Sequence, residues 1–282
     1  MKILPLAISS PFKTDAYEAG KKILESRGYE LIREPVLRTV LQSYLNGSDS
    51  ERLEELQEAF CSKADLIWAV RGGYGITRLL FDFSCQSPTP LLLGFSDTTA
   101  LMLHLWANFK HKSLHAPTIA RLSQEPAEVL EALDLILKGQ AVQVRYPEFD
   151  AWSSNAFTGI LIPVNLCMLT ELIGTSSMPD FTDCILILEE IAEEDYQIDR
   201  MLTHLYAAGI LKNVKAIIVG HLTECGTGSL EVFKERCEAF KIPCFTGFKM
   251  GHEAPNWPVP VGVIGEISVE GQKASLKILE EL

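Results

Sequence analysis

A chain of 282 residues, 47% hydrophobic and 22% charged, has the composition of a globular protein with a sizeable core, in one large domain or two ordinary ones. Its formal net charge of −12 argues against a general nucleic-acid binder, which needs clustered Lys and Arg to neutralise phosphates. No apolar run approaches the ~20 residues of a membrane-spanning helix, so no membrane partner is expected.

In chain order, Lys2 is followed by six apolar residues, ILPLAI (3–8), interrupted by Pro5. That run is short of the ~7–15 residues of a signal-peptide core, so it reads as a first buried strand. Helical periodicity covers Thr14–Arg27, with Thr14 as a possible cap. Residues 51–64 form an amphipathic helix with apolar positions at 53, 56, 59 and 60. DLIWAV (65–70) and LLLGF (91–95) read as buried strands, 98–109 as a buried helix, and Glu125–Lys138 as a further helix. This alternation predicts a parallel α/β sheet covered on both faces. From 139 to 157 the pattern lapses, and the segment reads as the crossing between domains. The predicted division is a parallel α/β domain over 1–140, a linker over 141–157 and a second domain over 158–282. The second domain is expected to hold strands near 158–162, 183–189, 214–219 and 259–264, and helices near 165–173, 198–208 and 228–240. A terminal hairpin over 266–279 turns at Glu270-Gly271-Gln272.

The seven cysteines (Cys61, Cys85, Cys167, Cys184, Cys225, Cys237 and Cys244) are odd in number and never spaced C-x-x-C. They read as reduced core residues of a cytoplasmic protein. There is no H-E-x-x-H and the six histidines do not cluster, so neither a metal nor another cofactor is expected.

The stretch LLLGFSDTTALML (91–103) places Ser96 between a strand and a helix. In open α/β sheets the carboxyl edge of the strands is where ligands bind. Gly94 permits a tight bend, Ser96 would stand at its apex, and Asp97-Thr98-Thr99 would open the helix. The unpaired N–H groups of that helix start could stabilise an oxyanion. Ser96 equally fits a plain helix cap, and Thr98 stands where the last glycine of G-x-S-x-G belongs. RGGYG (71–75) follows DLIWAV directly, and Gly72 and Gly73 suit either an oxyanion-binding turn or a tight turn kept for packing.

A serine nucleophile needs a base, and the base needs an orienting acid. The strand DCILIL ends in Glu189-Glu190, while Glu193, Glu194 and Asp195 complete what is ordinarily a solvated charge run. The candidate base is His252, in the Gly- and Pro-punctuated segment MGHEAPNWPVPVG (250–262). His104, His111, His115, His204 and His221 compete with it. His104 and His204 fall inside helical patterns and read as packed side chains.

Four segments, RGGYG (71–75), GFSDTTAL (94–101), LEEIAEEDYQIDRML (188–202) and GHEAPNWPVPVG (251–262), together resemble one family. This is the LD-carboxypeptidases, serine peptidases of murein-peptide recycling. The segments keep the family's order and spacing, and the resemblance spans nearly the whole chain. It implies an N-terminal flavodoxin-like parallel α/β domain and a smaller, β-rich C-terminal α/β domain. It also implies Ser96 as nucleophile, Glu189 as orienting acid and His252 as base, with the Gly72 and Asp97 N–H groups as oxyanion hole. The implied reaction is acyl transfer that releases D-Ala from a murein tetrapeptide whose third residue is diaminopimelate or lysine. A homodimer is the family's common state.

Arg71 is a candidate clamp for the substrate's terminal carboxylate, with Gly73 beside it. Trp257 would serve the microcin-immunity branch of the family, which cleaves acyl-aspartyl nucleotides. A reading from another class is a non-catalytic α/β protein that holds an anionic ligand on RGGYG and the 97–109 helix. Where family members often carry Gly-Gly before an asparagine, this chain has Pro163-Val164 before Asn165, expected to shape a substrate-facing loop.

Overall fold

Short apolar runs, too brief for helices, become strands in the computed structural model, which describes residues 1–85 and 88–282. The first sheet is built from β1 (Lys2–Leu6), β2 (Glu30–Leu31), β3 (Leu66–Ala69), β4 (Leu91–Gly94) and β5 (Ser113–His115), all parallel, in the order β2-β1-β3-β4-β5. It is flanked by α1 (Thr14–Ser26), α2 (Asp49–Cys61), α3 (Thr98–Phe109) and α4 (Ala127–Leu137), with a 3-10 turn over Ile119–Gln124. Helix α2 starts two residues before the amphipathic pattern, because Ser48 and Glu51 bond each other's backbone N–H in a capping box. Thr14 is the first residue of α1 rather than its cap. Helix α3 is buried at every position from Thr98 to Trp106, as a helix hydrophobic on all sides must be.

The second half forms a closed barrel of β6 (Phe149–Ala151), β7 (Phe157–Asn165), β8 (Cys184–Ile191), β9 (Ala216–Thr223), β10 (Cys244–Thr246), β12 (Val263–Glu270) and β13 (Lys273–Ile278). Helices α5 (Leu166–Glu171), α6 (Asp195–Ala207) and α7 (Ser229–Phe240) lie in its connections. The segment read as a crossing supplies β6, antiparallel to both β10 and β13. The expected hairpin is β12–β13, in register from Glu270 opposite Lys273. Pro163 and Val164 do not shape a substrate-facing loop. They are buried inside β7, opposite Ile187 and Leu188 of β8, so their hydrophobicity serves the barrel wall.

The strand expected near 259–264 in the second domain divides in two. Its first part, β11 (Val259–Val261), pairs antiparallel with β5, Val259 opposite His115, and becomes the sixth strand of the first sheet. Gly262 then turns the chain into β12 with φ +83°, and a Cβ there would lie 2.3 Å from the Trp106 ring of α3. Both buried apolar clusters mix the two halves: Leu101 with Leu186 in one, Trp68 with Phe245 and Val263 in the other. Among the described residues no helix is long and apolar enough to cross a membrane.

The junction at Gly262 has no slack. Gly262→Ala is therefore expected to destabilise the fold by ~1–3 kcal/mol through overpacking against Trp106. The readout is a lowered Tm relative to the unsubstituted chain.

Candidate active site

Ser96 sits two residues beyond β4 and two before α3, with φ +61°, a left-handed conformation that a serine adopts only at a cost. The surrounding core holds it there: Phe95 and Asp97 are buried on either side, and the Thr98 and Thr99 N–H groups already bond the carbonyls of Phe95 and Ser96. The bend lifts the hydroxyl out of the sheet at its carboxyl edge.

Gly72 closes on that hydroxyl from the end of β3. A Cβ at Gly72 would stand 2.9 Å from Ser96 Cβ and 3.0 Å from its Oγ, so only glycine fits. Among the described residues neither the Gly72 N–H nor the Asp97 N–H has a hydrogen-bond partner. The Asp97 side chain secures the turn: Oδ2 accepts the Ile76 N–H at 3.1 Å, and the fully buried Arg52 donates to the carbonyls of Ile8 and Gly75 at 2.6 and 3.0 Å. Burial raises the Asp97 carboxyl above its ordinary range, opposed by its bond to Ser9 and the charge of Arg52.

Glu189 projects from β8 in the barrel and is wholly buried. Its Oε2 lies 2.7 Å from Nδ1 of His252, and Nε2 of His252 lies 3.1 Å from Ser96 Oγ. A carboxylate can only accept, so Nδ1 carries the proton and the Nε2 lone pair faces the serine O–H. The Phe95 ring, 4.8 Å from the imidazole, fixes its plane. A base in this position can take the hydroxyl proton, and the turn at Gly72 and Asp97 offers donors for a developing oxyanion.

The segment carrying His252 is bound at several points by elements of the first sheet. Arg121 donates to the His252 carbonyl at 2.6 Å, and Glu125 accepts the Asn256 N–H at 2.8 Å. Asn256 Oδ1 in turn accepts the Gly251 N–H at 2.9 Å and Nε2–H of His115 at 3.1 Å. Burial lowers His115 to about 4, so it stays neutral and can serve as that donor. Arg121 and Glu125 stand in no motif, and Asn256, though inside the segment 251–262, is not singled out by it; their role arises only when β11 returns to β5.

Ser96, His252, Gly72 and Gly73 share one cleft of about 530 Å³, with Arg71 exposed on its wall. Trp257 does not reach it. Its backbone lies between Asn256, tied to Glu125, and Pro258, whose carbonyl takes the Tyr146 O–H at 2.7 Å. The indole is thereby turned into the core against Tyr146, and Phe95 supplies the aromatic ring among the described residues of the cleft. Glu190 departs from the solvated run: it is buried, accepting from Asn165 Nδ2, Cys167 N–H and Ile191 N–H at 2.9, 2.6 and 2.8 Å. His104 is packed against Ser177, whereas His204 is on the exposed face of α6. Among the described residues no group of three or more His, Cys, Asp or Glu is placed to hold a metal ion.

Residues 3–116 match the family model of the LD-carboxypeptidase N-terminal domain, and residues 158–267 that of its C-terminal domain. The chain is 30% identical over 285 residues to a murein tetrapeptide carboxypeptidase of Pseudomonas aeruginosa, covering 91% of this chain and 90% of the relative. A crystal structure of muramoyltetrapeptide carboxypeptidase from Oxalobacter formigenes superposes with a TM-score of 0.89 at 26% identity, over 100% of this chain and 99% of that one. The microcin C7 self-immunity protein of Escherichia coli is 22% identical over 303 residues, 93% of this chain and 87% of that protein.

Burial pushes Glu125 up to about 7, against the Asn256 N–H and the Arg121 charge. The folded chain then holds a proton on Glu125 that the unfolded chain releases near 4.5. Stability from this group is accordingly lost as pH rises through that window. Glu125→Gln keeps the acceptor for Asn256 without the titration. Its stability relative to the unsubstituted chain is expected to increase between about pH 5 and about pH 8, as read by urea denaturation at both values.

Proposed function

The chain belongs to the LD-carboxypeptidase family, and on that premise we propose that it is a serine-type carboxypeptidase releasing D-Ala from murein tetrapeptides. The bond cleaved is the amide between an L-configured third residue, diaminopimelate or lysine, and the terminal D-Ala. The observation that carries the reading is the chain of contacts from Ser96 through His252 to Glu189, at 3.1 and 2.7 Å. A protein that merely holds an anion has no use for a base aligned on a serine hydroxyl.

In the proposed reaction, Ser96 Oγ attacks the amide carbonyl while His252 Nε2 takes its proton. The tetrahedral oxyanion is met by the N–H groups of Gly72 and Asp97. Each such donor is worth about 2.7–4 kcal/mol of barrier in well-studied hydrolases. The C–N bond then breaks and His252 returns the proton to the departing D-Ala amine. Water, deprotonated by the same imidazole, attacks the acyl-enzyme and frees the shortened peptide. Glu189 stabilises the imidazolium formed in each half and remains ionised throughout. The microcin-immunity reading loses its motivating feature, since Trp257 is a core residue with no ring in the cleft.

The test is incubation with lysine- and diaminopimelate-type tetrapeptides, a pentapeptide control and an acyl-aspartyl adenylate, followed by mass spectrometry. D-Ala release from the tetrapeptides is expected. Ser96→Ala should reduce it by at least about 10⁴-fold with the Tm nearly unchanged. Persisting activity in that variant would remove Ser96 as nucleophile, and cleavage of the adenylate alone would move the chain to the other branch.

A further inference from the structure

A carboxypeptidase must register the end of its substrate, which calls for a cation beside the reacting serine. The cleft holds three: Lys13, Arg71 and Arg121. Lys13 and Arg71 are exposed, and Arg71 spends an Nη1 donor on the Pro11 carbonyl. An exposed, solvated cation gains little from a carboxylate.

Arg121 is different in three respects. It is partly buried on the 3-10 turn, where its guanidinium lies 5.8 Å from the Phe95 ring centre, and that ring touches His252. Its Nη2 is fixed on the His252 carbonyl at 2.6 Å, so the fork is held at one corner beside the base. Among the described residues it has no ion-pair partner, although it lines the cleft. A guanidinium that is positioned, partly desolvated and unpaired is well suited to accept a carboxylate from the ligand.

We propose that Arg121, rather than Arg71, binds the terminal carboxylate of the substrate. This rests on the carboxypeptidase reading above. Because one guanidinium grips both the substrate's end and the His252 carbonyl, a peptide lacking the free carboxylate would lose affinity and also leave the base segment less firmly held.

The experiment compares a tetrapeptide ending in free D-Ala with the same peptide ending in D-alaninamide. Hydrolysis is followed in the unsubstituted chain, Arg121→Gln, Arg121→Lys and Arg71→Gln. Binding of both peptides is titrated in Ser96→Ala, with and without Arg121→Gln. The unsubstituted chain is expected to prefer the acid by about 10–100-fold in kcat/KM, the range of a hydrogen bond to a charged group. In Arg121→Gln that ratio should collapse towards one, with Arg121→Lys intermediate and Arg71→Gln retaining it. An equal loss for acid and amide in Arg121→Gln would mean that Arg121 merely supports the loop, and would overturn the proposal. So would a ratio that collapses in Arg71→Gln and survives in Arg121→Gln. If no D-Ala is released at all, the carboxypeptidase reading fails. The binding titration still decides the role of Arg121: a preference for the acid that depends on Arg121 upholds it, and equal or absent binding of the two peptides refutes it.

Discussion

Glu189 carries a carboxylate with no exposure to solvent, and a buried charge is tolerated only where donors meet it. The donor is Nδ1–H of His252, a residue 63 positions away on a different element. Removing one partner from such a buried pair costs about 3–5 kcal/mol in comparable proteins, so the pairing constrains structure as well as chemistry. To satisfy it the chain must bring residues 250–258 across the barrel mouth and against the first sheet. The ties from Arg121, Glu125, His115 and Asn256 are what holds them there.

Two adjacent glutamates at the end of β8 show how strongly placement governs role. Side chains alternate along a strand, and a register shift between Leu188 and Glu190 adds to their separation. Glu189 meets the imidazole. Glu190 accepts from Asn165 Nδ2 and the Cys167 N–H at the start of α5, where Asn165 caps the Met168 N–H, and from the neighbouring Ile191 N–H of its own strand. Burial and the charge of Glu189 nonetheless raise Glu190 to about 7. Nothing local in ILEEI distinguishes the two; the difference comes from which wall each side chain faces.

Much of the architecture was legible from local pattern. The alternation of apolar strands and amphipathic helices in the first half carries its own signal, and so does the terminal hairpin with Gly271 in its turn. The buried helix over 98–109 falls at α3 to the residue. What local pattern lacks is the identity of a strand's neighbour. The run Val259–Val261 reads as a strand in either half, and only the assembled sheet assigns it to β5. Trp257 and Pro163-Val164 failed for the same reason. An indole next to a candidate base and a departure from a glycine pair both look functional until backbone ties or strand pairing turn them inward. Arg121 and Glu125 carried no signal because their partners are carbonyl and N–H groups more than a hundred residues away.

The return of β11 to the first sheet also bears on how the chain can be divided. Two family models meet it as separate stretches, 3–116 and 158–267, which invites treating the halves as interchangeable modules. An N-terminal piece cut between them would lose the strand that covers β5. Its central sheet would end in an unpaired row of N–H and C=O groups, the kind of edge that recruits other chains. The barrel piece would in turn keep β11 as a loose arm with nothing to pair. The seam in the sequence is therefore not a seam in the molecule, and recombination between relatives along it would exchange a sheet edge as well as a domain.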